Sequence, residues 1–122
     1  MRAAGMPAGN SILGSLKNGT PVVVEDGVAK LQDRSAFAGS VATADRLVRN
    51  MINMAGVSLS NAITMMTLTP AEIMKVDDTK GSLTAGKDAD VVLFDNEINI
   101  DTTIVSGRVV YSKTAVELSP VL

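Results

Sequence analysis

Between residues 43 and 55 apolar side chains recur every three or four positions. Ala44, Leu47, Val48, Met51, Ile52 and Ala55 fall on one helical face, and Asp45, Arg46, Arg49, Asn50 and Asn53 on the other. The pattern predicts an amphipathic helix beginning at about 41 to 44, with Ser40 or Thr43 as its N-cap. Ser58 can cap a second helix, in which Leu59, Ala62, Ile63 and Met66 share a face. In "TPAEIMKV", Thr69 reads as an N-cap, Pro70 as the first helical residue and Glu72 as the return arm of a capping box. That predicts a short helix over 70–76.

On either side of this helical middle the period is that of strands. "TPVVVEDGVAKLQD" sets two β-rich runs around Asp26-Gly27, a strong hairpin signal. From Gly81 a turn-rich segment leads into an apolar strand at about 90–95, and "TTIVSGRVVYS" predicts a hairpin pivoting on Ser106-Gly107. Residues 1–19 show no sustained period and read as irregular connection. The terminal "TAVELSPVL" is expected to pair weakly or fray. The expected class is α+β, with C-terminal strands too few to close a sheet within the chain.

Composition narrows the function. At 122 residues, with seven methionines and only Phe37, Phe94 and Tyr111 as aromatics, the core must be aliphatic with thioether filler. Nothing offers a stacking surface for bases, and the net charge of −2 gives no pull towards phosphate backbones, so no nucleic-acid partner is expected. Without cysteine there is no disulfide framework and no thiolate metal site. No apolar run reaches the roughly 18 to 20 residues of a membrane span, and no signal core opens the chain, so no membrane partner and a cytoplasmic location are expected.

The chain also lacks histidine. A nucleophile would therefore need Asp, Glu or Lys as its base, and a metal site would need carboxylates alone. No such arrangement stands out. Asp88 and Asp90 in "GKDAD" read as turn residues capping local N–H groups, Asp77-Asp78 as a solvated turn, and Arg108 as a solvent-facing cross-strand partner. One stretch leaves two readings open. In "DRSAFAGSVATADRLVRNMI", Phe37, Ala38 and Gly39 precede the amphipathic helix either as a plain helix entrance or as a ligand-facing loop.

Motifs now carry a resemblance. "TLTPAEIMKVDDTKGSLTAGKDADVVLFD" followed by "TTIVSGRVVY", over residues 67–112, resembles the C-terminal region of the metal-dependent amidohydrolases. "MRAAGMPAG", the hairpin with "VEDGVAKLQD", then "FAGS" and "TADRLVRNMI" are similar to the N-acetylglucosamine-6-phosphate deacetylase family within them. The resemblance implies that residues 1–80 are the C-terminal part of a TIM barrel and 81–122 strands of a small β-sandwich. It implies a substrate contact at Phe37, Ala38 and Gly39, and an amino-sugar phosphate as substrate. It further implies a divalent metal, zinc, in the complete enzyme, with the catalytic aspartate and the metal ligands outside this chain. No residue here is then catalytic or metal-binding. The partners implied are the N-terminal part of the enzyme and a second copy in a homo-oligomer. Two alternatives stand beside it: a non-catalytic binding or assembly module, and a piece of another amidohydrolase such as a dihydroorotase.

Overall fold

A computed structural model describes residues 4–15 and 17–114. Of the expected terminal "TAVELSPVL", all but Thr114 lies outside the described residues. The chain divides into two compact units, Met1–Leu47 and Val48–Leu122.

The first unit is built on a four-stranded antiparallel meander, β1 (Gly9–Leu13), β2 (Thr20–Glu25), β3 (Val28–Leu31) and β4 (Phe37–Gly39), paired in sequence order. The β2–β3 turn is the one the sequence predicts. Asp26 and Gly27 both have positive φ, 53° and 74°, as a tight two-residue hairpin turn requires. Val22 and Val24 share one face of β2 and are almost fully buried, and Val24 packs with Ala29 and Val41 over Met6, Leu13 and Ala38. Two expectations are corrected here. Residues 9–13 form a strand rather than irregular connection, because β1 pairs along its whole length with β2, from Gly9↔Val24 to Leu13↔Thr20. Residues 37–39 likewise form a strand, not a loop. In both cases pairing with a strongly β-forming neighbour decides the conformation, which local propensity could not show.

Helix α1 (Ala44–Asn53) starts where expected. The carbonyl of Thr43 accepts the Leu47 N–H at 3.1 Å, which places Thr43 at the N-cap position, and Ser40 Oγ accepts from Ala42 N at 3.1 Å ahead of the helix. Helix α2 (Leu59–Met66) is capped by Ser58, whose side chain accepts from the Asn61 N–H as predicted. Helix α3 spans Leu68–Met74, two residues earlier than the capping box implied, and its N-cap is Thr67. The Thr67 hydroxyl donates back to Ile63 O at 2.8 Å, so it closes α2 rather than capping α3. Pro70 still falls in the first turn, where a missing N–H costs no helical bond.

In the second unit Val48, Ala62 and Ile98 form the buried centre, flanked by Met51, Ile52, Val57, Ile63 and Phe94. Strands β5 (Val91–Phe94), β6 (Ile100–Val105) and β7 (Arg108–Ser112) make a three-stranded antiparallel sheet in that order. The β6–β7 turn again has two positive φ values, Ser106 at 49° and Gly107 at 77°. The β5–β6 connection holds a strained residue. Ile98, β-branched and buried, sits at φ 61°. Its carbonyl accepts Arg49 Nη1 at 2.8 Å, so Arg49 turns inward from what reads as a solvent face. Packing and this bond together over-determine a conformation isoleucine otherwise avoids.

Ile98→Ala should therefore lower unfolding free energy by about 2–5 kcal/mol, since it empties the centre of the unit and keeps a strained backbone. A denaturant midpoint indistinguishable from the parent would contradict this packing.

Candidate functional site

Phe37, Ala38 and Gly39 form the last strand of the first sheet, so one side of their backbone has no strand partner. Phe37 pairs with Lys30 and Gly39 with Ala29, so one step on β3 is matched by two on β4 and Ala38 is the extra residue of a bulge. The bulge divides the three roles. Ala38 packs inward on Val24, Ala29 and Val41. The Phe37 ring points out and is 78% exposed. Gly39 has φ 156°, and a Cβ built there meets nothing within 4 Å. The strand therefore offers an exposed aromatic side chain beside a stretch of backbone with open space around it.

The charges around this strand are already engaged. Glu25 accepts from Arg34 Nε at 2.9 Å and from Lys30 Nζ at 3.1 Å, and Lys30 also reaches Asp26 Oδ2 at 3.1 Å. Arg34, and secondarily Lys30, hold the Glu25 carboxyl below the usual carboxylate range. The Ser35 hydroxyl does the same for Asp33.

The second unit contains the acidic pair singled out in the sequence, and the structure revises its role. Lys80 Nζ lies 2.8 Å from Asp88 Oδ2 and 2.7 Å from Asp90 Oδ2, so a lysine occupies the centre of the carboxylate pair. Asp90 Oδ1 also accepts the Ser106 N–H at 2.8 Å, and the Gly107 N–H reaches Ala89 O at 2.9 Å. The expectation of local caps is thus corrected: Asp90 caps a turn sixteen residues away and ties the 79–90 loop to the β6–β7 hairpin. Lys87 Nζ donates to the carbonyls of Asp77 and Lys80, closing the same loop. Asp77-Asp78 lie in an exposed turn, as read from sequence, and Arg108 is exposed opposite Val105. A groove of about 690 Å³ in this unit runs between α2–α3 and the sheet, lined mainly by Ile63, Pro70, Ala71, Val76, Val92 and Phe94. It contains none of the residues expected at a sugar site.

The chain has a limited set of reactive side chains. It has neither histidine nor cysteine. Among the described residues no group of three or more acidic side chains is placed to hold a metal ion. The donor set does not fit a divalent metal centre, because Asp88 and Asp90 are bridged by Lys80 and Asp95 folds back on Glu97 N and on both Asn99 N and Nδ2.

With that geometry in view, comparison with known proteins gives the class. Residues 10–110 match the amidohydrolase family, and the chain belongs to it. Among its relatives, a putative N-acetylgalactosamine-6-phosphate deacetylase of Escherichia coli K12 is 37% identical over 88% of this chain and 62% of its own length. The N-acetylglucosamine-6-phosphate deacetylase of Lysinibacillus sphaericus is 38% identical over 89% of this chain and 27% of its length. Solved N-acetylglucosamine-6-phosphate deacetylases agree. That of Pasteurella multocida superposes with a TM-score of 0.78 at 28% identity, covering 88% of this chain and 27% of its own. That of Thermotoga maritima gives 0.76 at 32% identity, covering 90% and 29%. The chain thus spans less than two thirds of these relatives, and little more than a quarter of most. The α+β class expected from the sequence is the class observed.

The Asp90 contacts carry a pH prediction. Lys80, and then the Ser106 N–H, hold the Asp90 carboxyl below its ordinary 3.8, so this group contributes stability above that value and loses it as pH falls through the lower folded value. Lys80 is raised above its ordinary 10.5 by Asp88 and then Asp90, so its contribution is complete below 10.5 and fades only at still higher pH. Melting temperature should therefore be level across neutral pH and drop below about pH 4. Asp90→Asn should lie lower on the plateau and fall less steeply in acid; an acid slope identical to the parent's would contradict the assignment.

Proposed function

We propose that this chain is the C-terminal portion of a hydrolase that removes acetate from N-acetylglucosamine 6-phosphate, giving glucosamine 6-phosphate in amino-sugar catabolism. The observation that carries it is the match of 88–89% of the chain to relatives named as hexosamine-6-phosphate deacetylases. In this reading residues 1–80 complete the catalytic barrel and 81–122 supply strands of a small sandwich. The divalent metal, zinc, and the acid–base group belong to the rest of the polypeptide, since the donors present here do not fit a metal. The enzyme would meet its phosphorylated sugar in the cytoplasm and assemble as a homo-oligomer.

The chain's own share is to shape the substrate site. Phe37 supplies an apolar wall, and the backbone at Ala38 and Gly39 approaches the sugar. The inward Ala38 side chain supports this division, because it anchors the strand to the core and leaves its outer side for the ligand. Two relatives at similar identity are named for different epimers of the sugar, so the galactosamine 6-phosphate derivative is the second reading.

In the complete enzyme, Gly39→Val should lower kcat/KM by about 10²-fold, because a branched side chain would enter the substrate's space and strain a φ of 156°. The melting temperature should fall as well, because valine is strained at this positive φ although its Cβ meets no neighbour, so kcat/KM is compared per folded enzyme. Ser40→Ala serves as the control: it loses one hydrogen bond to Ala42 N, worth about 0.5–1.5 kcal/mol, and should leave the kinetics unchanged. Assay of both acetylated epimers decides between the two sugars. Near-parental kcat/KM on both in Gly39→Val would remove the substrate contact.

A further inference from the structure

Gly27 and Arg46 are nineteen residues apart and meet at the surface of the first unit: Arg46 Nη1 donates to Gly27 O at 3.3 Å. With glycine at the turn the guanidinium comes this close without displacement, whereas a Cβ would make it give by a few tenths of an ångström. A Cβ at position 27 would stand 3.0 and 3.1 Å from the two terminal guanidinium nitrogens. The arginine meets the turn through its backbone, while Lys30 takes the neighbouring Asp26 carboxylate at 3.1 Å. Between the two contact points run β3, the 32–36 connection, β4 and the approach to α1. That segment carries Phe37, Ala38 and Gly39.

The segment is held at its middle by β3–β4 pairing, which is only two register positions long and interrupted by the bulge. Ala38 anchors the strand inward, and the Leu31 N–H to Ala36 O and Gly5 N–H to Val41 O bonds flank it, so what the short edge leaves open is the tilt of its outward residues, Phe37 and Gly39. Arg46 lies in the first turn of α1 and closes the segment at both ends. We propose that Arg46 is a positioning residue for the Phe37–Gly39 strand, fixing through the Gly27 carbonyl the angle at which Phe37 and Gly39 are presented to the amino-sugar phosphate. This rests on the substrate-facing reading of β4. Its physical content is preorganisation: a surface that would otherwise flex meets the ligand already set.

The test has two readouts. In the 122-residue chain, Arg46→Ala should speed amide exchange in β4 by roughly tenfold, leaving β1–β2 amides unchanged, and Arg46→Lys should restore most of the protection by supplying one donor. In the complete enzyme, Arg46→Ala should raise KM for N-acetylglucosamine 6-phosphate by about five- to tenfold with kcat within twofold, and Arg46→Lys should recover most of it. Phe37→Ala, assayed alongside, separates the two claims. If Phe37→Ala raises KM and Arg46→Ala does not, positioning fails while the substrate contact stands; if neither moves KM, the substrate-facing reading fails. Unchanged β4 exchange in Arg46→Ala, or equal acceleration across the whole sheet, would overturn the proposal.

Discussion

β5 is four consecutive apolar residues, Val91 to Phe94, and a strand of that kind is stable only when both faces of its sheet are covered. Here they are not. Val92 and Leu93 project to opposite faces, and each remains about half exposed, at 47% and 50%. Val105, Val110 and Tyr111 on the neighbouring strands are exposed as well. Among the described residues, β5 and β7 are the outer strands of the sheet, each with one edge unpaired. The buried residues of this unit are small or medium side chains, Val48, Ala62, Ala71 and Ile98, while large apolar side chains on the sheet, Leu93 and Tyr111 among them, stay half exposed. The remaining features of the unit compensate locally. The Lys80 bridge across Asp88 and Asp90 fixes the loop entering β5, Asp90 secures the β6–β7 turn, and Arg49 locks the strained Ile98. Each holds a hairpin or its entry loop in shape.

The first unit solves a different problem. Its sheet has one well-packed face, with Val22, Val24 and Ala29 buried, and its last strand, β4, is a short bulged edge. A bulge at that place turns Ala38 into the core and Phe37 away from it, so one three-residue stretch both anchors and presents. On the proposed reading, this stretch lends shape to a substrate site whose reactive groups lie elsewhere in the polypeptide.

What was legible in the sequence follows from how local the determining physics is. Asp26-Gly27 and Ser106-Gly107 announced their turns because only a few residue pairs adopt two successive positive φ values, and both were found as read. Ser58 was legible because a helix cap is set by residues within one turn. β1 and β4 were not, since each owes its conformation to a neighbouring strand. Thr69 looked like a cap, but the Thr67 hydroxyl binding back to α2 moved the start of α3. Lys80 was missed for the same reason: its partners lie eight and ten residues on, and only the folded loop brings them together. The candidate contact at Phe37, Ala38 and Gly39 came from family resemblance, while its division into inward and outward residues required the register.

If the apolar side chains exposed on the β5–β7 sheet are covered by another polypeptide surface, the purified chain should self-associate. Light scattering coupled to size-exclusion chromatography, run on the purified chain across the micromolar range, tests it most directly. A dimer or larger assembly is expected, with β5 and β7 amides protected in the associated form. A clean monomer at high micromolar concentration, with those edge amides open to exchange, would contradict it.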